Sequence, residues 1–171
     1  MNEIIKKELE SIFGNIRVTI SENYRLIVTA PKDHVMSILS FLKNKGFNHL
    51  ALVSCVDWIE DEEFEMVYII TSYLQNNDKY LDKEKLHITL KCRIHREEPK
   101  VISVIPVFAN AEPYEREMHE LFGIHFEGHP RLTHLFLERD YEIPPFRKDF
   151  DTREYVKNTF DTIPFVEDKS K

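Results

Sequence analysis

Residues 86–94 read LHITLKCRI, and this stretch decides the fold class. Apolar side chains at 86, 88, 90, 92 and 94 alternate with polar or charged ones at 87, 89, 91 and 93. Successive side chains of a β-strand point to opposite faces of a sheet, so the alternation predicts a strand with one face on a core and one in water. Such strands are typical of antiparallel sheets that are covered on one side.

The sequence on either side predicts further strands and two helices. Apolar stripes at helical spacing predict helices over 3–13 and 31–45. Short apolar or β-branched segments predict strands at 16–20, 24–29, 47–56, 64–74 and 101–108. We therefore expect an α+β fold, a mostly antiparallel sheet with flanking helices, formed by residues 1–110.

Composition excludes several classes of function. The 171 residues include four glycines, and no G-x-G-x-x-G or G-x-x-x-x-G-K pattern passes through them. This excludes a Walker-type NTPase and a standard dinucleotide-binding fold, whose phosphate loops need such glycines. Cys55 and Cys92 are the only cysteines, and an iron–sulfur cluster usually takes four. The net charge of −7 argues against nucleic-acid binding. We expect no signal peptide and no membrane span, since no apolar run approaches about 18 residues.

The last third of the sequence has a different character. Residues 112–122 predict a helix that ends at Gly123. Residues 124–150 form an irregular C-terminal extension of the fold, without a packing period but with prolines, aromatics and paired charges, and residues 151–171 form a polar tail. Aromatic residues and arginine are typical interface anchors, so we expect residues 111–150 to lie against another protein.

Two polar clusters leave metal binding open. Histidines at 119, 125, 129 and 134, with Glu120, could serve a small metal-dependent hydrolase, although Gly123 interrupts an H-E-x-x-H pattern. Ordinary hydrogen-bonded histidines are the competing interpretation. The acidic run 57–65 could bind a divalent cation, but its spacing fits no EF-hand loop, which favours a solvated turn between strands.

Helix 112–122 also carries a row of charges. Arg116 lies four residues from both Glu112 and Glu120, so it can pair with either along one exposed face. Glu115 and Glu117 point in different directions on a helix, which argues against a catalytic carboxylate dyad. A partner protein could equally recognise such a row of alternating charge.

Three motifs in this region resemble one known family. The segments are EREMHELFGI at 115–124, FEGHP at 126–130 and RKDF at 147–150. Together, in this order and spacing, they resemble the signature of the 30-kilodalton subunit of respiratory complex I (the C subunit of NADH–quinone oxidoreductase) and of related membrane-bound hydrogenases and ferredoxin-dependent complexes. The likeness covers roughly residues 1–150.

The resemblance implies a structural role in a larger, ion-translocating complex. This chain would carry no cofactor, and iron–sulfur clusters would lie in neighbouring subunits. It would pack beside the large catalytic subunit that forms the quinone or nickel–iron site, and near the iron–sulfur subunits, on the cytoplasmic face of the membrane. It would contact the membrane arm indirectly and bind no nucleic acid. A free adaptor domain that binds partners transiently is a further alternative.

The resemblance also implies roles for single residues. Six charged residues of the motifs would make charge-assisted contacts, within the chain or across the interface: Glu115, Arg116, Glu117, Arg147, Lys148 and Asp149. Gly123 and Gly128 would permit turns with positive φ, and Pro130 would rigidify one. His129 and Phe150 complete the set of motif residues.

Overall fold

The computed structural model describes residues 2–22, 25–72, 86–139 and 141–160. The helices are α1 (Asn2–Ile12), α2 (Val35–Asn44), α3 (Ala111–Phe122) and α4 (Thr152–Thr159). The strands are β1 (Arg17–Glu22), β2 (Arg25–Thr29), β3 (His49–Trp58), β4 (Glu63–Thr71), β5 (His87–His95), β6 (Lys100–Ile102) and β7 (His125–Glu127). Short 3-10 turns at Lys32–His34 and Ile59–Asp61 precede α2 and β4.

Five strands form a mostly antiparallel sheet in the order β1-β2-β5-β4-β3. The alternating stretch 86–94 falls in β5, which lies in the centre of the sheet. β5 pairs antiparallel with β4 and parallel with β2. The predicted α+β fold with a mostly antiparallel sheet and flanking helices is therefore confirmed.

One face of the sheet carries the hydrophobic core. Ile88, Leu90 and Cys92 of β5 are buried there, as the alternation predicts. The register places Met66 of β4 between Cys92 and Cys55 of β3, and both thiols are free and buried. The helices contribute to the same core cluster with Ile5 and Leu9 of α1, Val35, Ile38, Leu39 and Leu42 of α2, and Met118, Leu121 and Phe122 of α3. On the opposite face, ion pairs join β4 and β5.

The structure corrects two of the predicted strand assignments. The apolar segment 101–108 forms a strand only at β6, and the chain then turns through residues 105–107. The pairing cannot continue because the amide of Val104 donates to Oε1 of Glu115 instead, and Pro106 further along has no backbone N–H. Part of the segment predicted to be irregular, 124–150, is strand β7, which pairs in parallel with β6.

The part of the chain after residue 150 also differs from the polar tail that its composition predicts. Residues 152–159 form α4, whose N-cap Asp151 accepts hydrogen bonds from the amides of Arg153 and Glu154. Phe160, which follows α4, is exposed. The predicted loop 75–85 and the tail beyond residue 160 lie outside the described residues. Within the described ranges, no helix combines the length and apolarity that crossing a bilayer requires.

Candidate interface of helix α3 and the C-terminal extension

Helix α3 ends at a close contact with the chain that returns past it. Gly123 adopts φ 77°, and its amide donates to the carbonyl of His119. A Cβ built on Gly123 would lie 3.1 Å from Cγ of Pro144. The position therefore needs glycine both for its left-handed backbone and for this approach. Gly128 has φ 83°, so both motif glycines show the positive φ that the resemblance implies.

Because the structure assigns residues 125–127 to β7, the C-terminal extension from here on means residues 128–160. Arg116 and Glu120 of α3 bind the first half of this segment. Arg116 donates from Nε to the carbonyl of Thr133 (2.9 Å) and from Nη2 to that of His134. The Glu120 carboxylate accepts from the consecutive amides of residues 135, 136 and 137, at 2.7, 3.1 and 3.3 Å. An irregular loop with its backbone groups paired in this way has a defined conformation.

The exposed charged face predicted for this helix is wrong in two places. Arg116 does pair with Glu112 at 3.4 Å, as the spacing predicts. Glu120, however, is buried and serves the extension rather than forming the second ion pair. Glu115 is fully buried, whereas Glu117 is only half-buried. Helical periodicity indicates the burial of Glu115, which shares a face with Met118 and Phe122. It does not indicate that of Glu120, which is covered by the loop at residues 135–137.

Glu115 is a buried acid that forms no ion pair with any residue that the structure describes. Its Oε1 accepts the amide of Val104 at 2.7 Å, and its Oε2 is buried without a hydrogen-bond partner. Burial raises the pKa of Glu115 to about 7, against the opposing effects of the Ser103 hydroxyl and the Val104 amide, and the negative charge of Glu112 adds to the rise. Within this chain, Glu115 therefore ties α3 to the segment that follows β6.

The motif at 147–150 fastens the second half of the extension to the end of the sheet. The Arg147 Nη2 donates to the carbonyl of Arg96 at 3.1 Å, and its guanidinium lies 5.3 Å from the centre of the Phe64 ring. The amide of Lys148 donates to Oδ2 of Asp57 at 2.8 Å. Asp149 accepts from both terminal nitrogens of Arg96. In this motif, the side chains of Arg147 and Asp149 and the backbone amide of Lys148 bind groups of this chain, whereas the Lys148 side chain is exposed.

Arg96 is the centre of this charge network. It binds Asp57 through Nε at 2.9 Å and Nη2 at 3.1 Å, in bidentate geometry. Burial opposes the ionisation of Asp57, but Arg96 and the Lys148 amide outweigh it and lower the pKa of Asp57. Hydrogen bonds from Arg96 lower the pKa of Asp149 as well. The solvated turn predicted for 57–65 is therefore wrong for Asp57, which is buried.

Arg96 is a residue of this site that the sequence patterns missed. Its one available signal was its place immediately after β5, where antiparallel pairing with β4 puts it beside the acidic run. The alternation of β5 ends at that point, so periodicity offered no reason to choose Arg96 over its charged neighbours.

Two histidines of the metal-site hypothesis, His119 and His129, bind backbone groups instead. Nδ1 of His119 hydrogen-bonds the carbonyl of Ile124 at 2.9 Å. Nε2 of His129 faces the carbonyl of Glu112 at 3.3 Å, while its Nδ1 accepts the amide of Arg131 at 3.0 Å. His125 is exposed on β7. Among the described residues, no three His, Cys, Asp or Glu side chains are grouped to hold a metal ion, so the hydrolase alternative has no site in this part of the chain.

The inward orientation of the charges leaves aromatic rings on the surface of the extension. Phe136 is 69% exposed and Phe146 is 60% exposed. Three further rings, of Tyr141, Phe150 and Tyr155, pack together at centroid distances of 5.1–5.9 Å and join α4 to the loop before it. The extension is therefore a fixed segment with apolar groups facing outward, which is suited to protein contact.

A comparison with known families decides what this arrangement belongs to. The family model for "Respiratory-chain NADH dehydrogenase, 30 Kd subunit" matches residues 28–156, which include most of the sheet, α3 and most of the extension. The chain belongs to this family. The resemblance carried by the three motifs is thereby confirmed, and the chain is part of a complex I-like assembly of several subunits.

Individual relatives come from several complexes. The chain is 36% identical over 150 residues to the C subunit of F420H2 dehydrogenase of Methanosarcina mazei, covering 84% of this chain and 89% of that protein. It is 33% identical over 145 residues to the C subunit of NADH-quinone oxidoreductase of Moorella thermoacetica, covering 84% and 91%. The C/D subunit of NADH-quinone oxidoreductase of Blochmanniella pennsylvanica is 27% identical over 168 residues, which are 91% of this chain but 27% of that protein.

Two solved structures share the fold. A chain of the membrane-bound sulfane sulfur reductase, an archaeal respiratory membrane complex, superposes with a TM-score of 0.81 at 29% identity and covers 99% of this chain and 96% of its own length. A trypsin-resistant fragment of Nqo5, residues 1–134 of that protein, gives a TM-score of 0.65 at 26% identity and covers 77% of this chain and all of the fragment.

Proposed function

We propose that this chain is a cofactor-free scaffold subunit in the hydrophilic arm of a membrane-bound, ion-translocating oxidoreductase related to complex I. In this proposal, α3 and the C-terminal extension pack against the large catalytic subunit, which forms the quinone or nickel–iron site, and near the iron–sulfur subunits. The chain lies on the cytoplasmic face of the membrane and contacts the membrane arm only through its neighbours. Electron transfer belongs to the assembly, and this chain positions the subunits that perform it.

The observation that carries the proposal is the way the extension is held. Buried or half-buried charges of α3 and the sheet fix its backbone at residues 133–137 and at Lys148, and the same segment exposes large aromatic rings. A monomer gains little from ordering a segment that leaves such rings in water, because each ordered residue costs about 1–2 kcal/mol of conformational entropy. A surface that meets a partner offsets that cost through burial on assembly.

The comparisons support the same proposal. The relative solved within a respiratory complex matches 99% of this chain, whereas the protease-resistant fragment of Nqo5 matches 77%. This difference is expected if the domain built on the sheet is stable alone and the remaining part is needed in the assembly. The Blochmanniella relative is named a C/D subunit, and the part of it that matches this chain is 27% of that single polypeptide. We take the D part of that protein as the counterpart of the large catalytic subunit, and call this partner the D-type subunit.

The cysteines support the absence of a cofactor in this chain. An iron–sulfur cluster usually takes four thiolates, whereas the sequence has two cysteines, which lie on β3 and β5 with Met66 of β4 between them. Burial raises the pKa of Cys92 to about 12 and that of Cys55 further still, with the charge of Glu65 adding at both sites and that of Asp57 at Cys55. No other cysteine exists in the sequence. Iron–sulfur clusters are therefore assigned to the neighbouring subunits.

The experiment is affinity purification of the tagged chain from membranes of its source cell, followed by mass spectrometry. We expect stoichiometric recovery of the D-type subunit and of subunits with cysteine-rich cluster motifs. In parallel, the chain expressed alone should contain no stoichiometric iron, nickel, zinc or flavin. Recovery of the chain without other subunits, or one equivalent of metal or flavin in the isolated chain, would overturn the proposal.

A further inference from the structure

The charged side chains that hold the extension and its exposed aromatic rings make different kinds of contact. Arg116, Glu120, Arg147 and Asp149 each bind a group of this same chain, at the distances given above. A partner that used these side chains would have to replace contacts that already exist, with little net gain. Phe136 and Phe146 are large apolar side chains that remain exposed, and contacts with helix α3 fix the backbone of each.

The Glu120 carboxylate holds the backbone of Phe136. The amide of Phe136 donates to both oxygens of Glu120, each at 3.1 Å, and the neighbouring amides of Leu135 and Leu137 bind the same group. Leu137 packs against the core cluster, whereas the Phe136 ring is 69% exposed. Its backbone is thus fixed although its ring faces solvent.

The C-terminal end of the same helix holds the backbone of Phe146. Its amide donates to the carbonyl of Leu121 at 3.0 Å, and Leu121 follows Glu120 directly in the chain. Its ring meets that of Phe122 edge to face at 5.9 Å, and the Phe122 ring meets the buried ring of Phe64 in the same way at 6.0 Å. A row of rings therefore runs from the core to the surface and ends at Phe146.

We propose that Phe136 and Phe146 are the anchor residues by which this chain binds the D-type subunit, each entering an uncharged, apolar pocket of that partner. This inference rests on the proposed function and adds which residues make the contact. Both backbones are bound to consecutive residues in the last turn of α3, that of Phe136 to the Glu120 carboxylate and that of Phe146 to the Leu121 carbonyl. Aromatic side chains whose backbone is already fixed lose little entropy on binding, and such rings dominate the binding energy of many interfaces.

Two observations favour the D-type subunit as the partner that binds these two rings. In the Blochmanniella protein, named a C/D subunit, the match to this chain shares one polypeptide with a D part, so the two are covalently joined there. The match to the complex-bound relative also extends over nearly the whole chain, while the isolated protease-resistant fragment covers 77% of it. The extension is the last part of the chain that the structure describes, and an anchor within it agrees with both observations.

The test uses the full chain, co-expressed with the D-type subunit of the same genome. The variants are Phe136→Ser, Phe146→Ser and the double change, and the matched control is Ile4→Ser with Ile102→Ser. Ile4 and Ile102 are 63% and 51% exposed and lie on α1 and β6, outside the extension. All variants are first checked by circular dichroism and thermal unfolding of the chain alone. Phe136→Ser keeps the proposal testable if loss of the Phe122 contact impairs folding of the Phe146 variants.

We expect the double change to weaken binding of the D-type subunit more than about 100-fold, each single change about 10-fold, and the control less than about 2-fold. Folded phenylalanine variants that bind like wild type, or a control that loses binding equally, would overturn this inference while leaving the proposed function intact. A wild-type chain that binds no D-type subunit would instead contradict the proposed function itself.

Discussion

The buried carboxyl group of Glu115 should make the stability of this chain fall as pH rises. Its pKa is about 7 in the folded chain, against 4.5 for a solvated glutamate. Between these values the folded state holds a proton that the unfolded state has released, so the free energy of unfolding decreases with pH across this window. The raised pKa of Glu115 therefore lowers the free energy of unfolding by about 3 kcal/mol by pH 8, because one pKa unit corresponds to about 1.4 kcal/mol.

Glu115→Gln isolates this effect. Glutamine is uncharged at every pH, and its side-chain oxygen can still accept the amide of Val104. We expect the variant to match wild type within about 1 kcal/mol at pH 5 and to be more stable by about 2–3 kcal/mol at pH 8. Other titrating groups cancel, because only the difference between the two proteins at each pH is used.

The assay is urea unfolding of the full chain, followed by circular dichroism from pH 5 to pH 8.5. Tyr114→Phe on the same helix is the matched control, because it removes a neutral hydrogen bond to the carbonyl of Ala51. That loss should be the same at every pH in this range. A constant difference between Glu115→Gln and wild type, or a variant that is less stable at pH 8, would refute the account of Glu115.

Two further predictions concern the attachment of the extension. Asp57→Asn should destabilise the chain by about 3 kcal/mol at pH 7, because it leaves Arg96 without its buried partner. Folding lowers the pKa of Asp57, so its contribution to the free energy of unfolding is present above the unfolded pKa of 3.8 and is lost as pH falls through the folded pKa. Urea unfolding at low pH should therefore show a smaller difference in the free energy of unfolding between the variant and wild type. Gly123→Ala should cost about 1–2 kcal/mol and speed tryptic cleavage of the extension, because both the left-handed φ and the contact with Pro144 are disturbed. Gly128→Ala, with a positive φ but open space around its Cβ, should be milder and leave the cleavage rate unchanged; equal effects would contradict the Pro144 contact.

The sequence predicted the sheet because its strands follow a simple physical rule. The alternation of 86–94 and the apolar runs before it reflect burial on one face, and the structure places them as β5, β3 and β4. The helix at 112–122 was also predictable, because Gly123 marks its end. Strand β7 was not, because its three residues are too few to show a period and its partner β6 is equally short.

The candidate site was predictable in its location but not in its contacts. The motifs pointed to α3 and residues 147–150, yet the burial of Glu115 and Glu120 depends on segments that fold back over the helix. The binding of Lys148 to Asp57 joins positions 91 residues apart. Contacts of this kind arise from tertiary packing, which neither propensity nor spacing encodes. The side chains of Arg147 and Asp149 make contacts of this kind within the chain.

The most direct test of the central claim is a photo-cross-link from position 146 in the assembled complex. Phe146 is replaced by a photoreactive phenylalanine analogue, the complex is purified from membranes and irradiated, and the cross-linked partner is identified by mass spectrometry. The account predicts a cross-link to the D-type subunit, and none from the same analogue placed at Ile4. The absence of any cross-link from position 146 to another protein of the complex, or equal cross-linking from both positions, would contradict the claim that the extension is the interface.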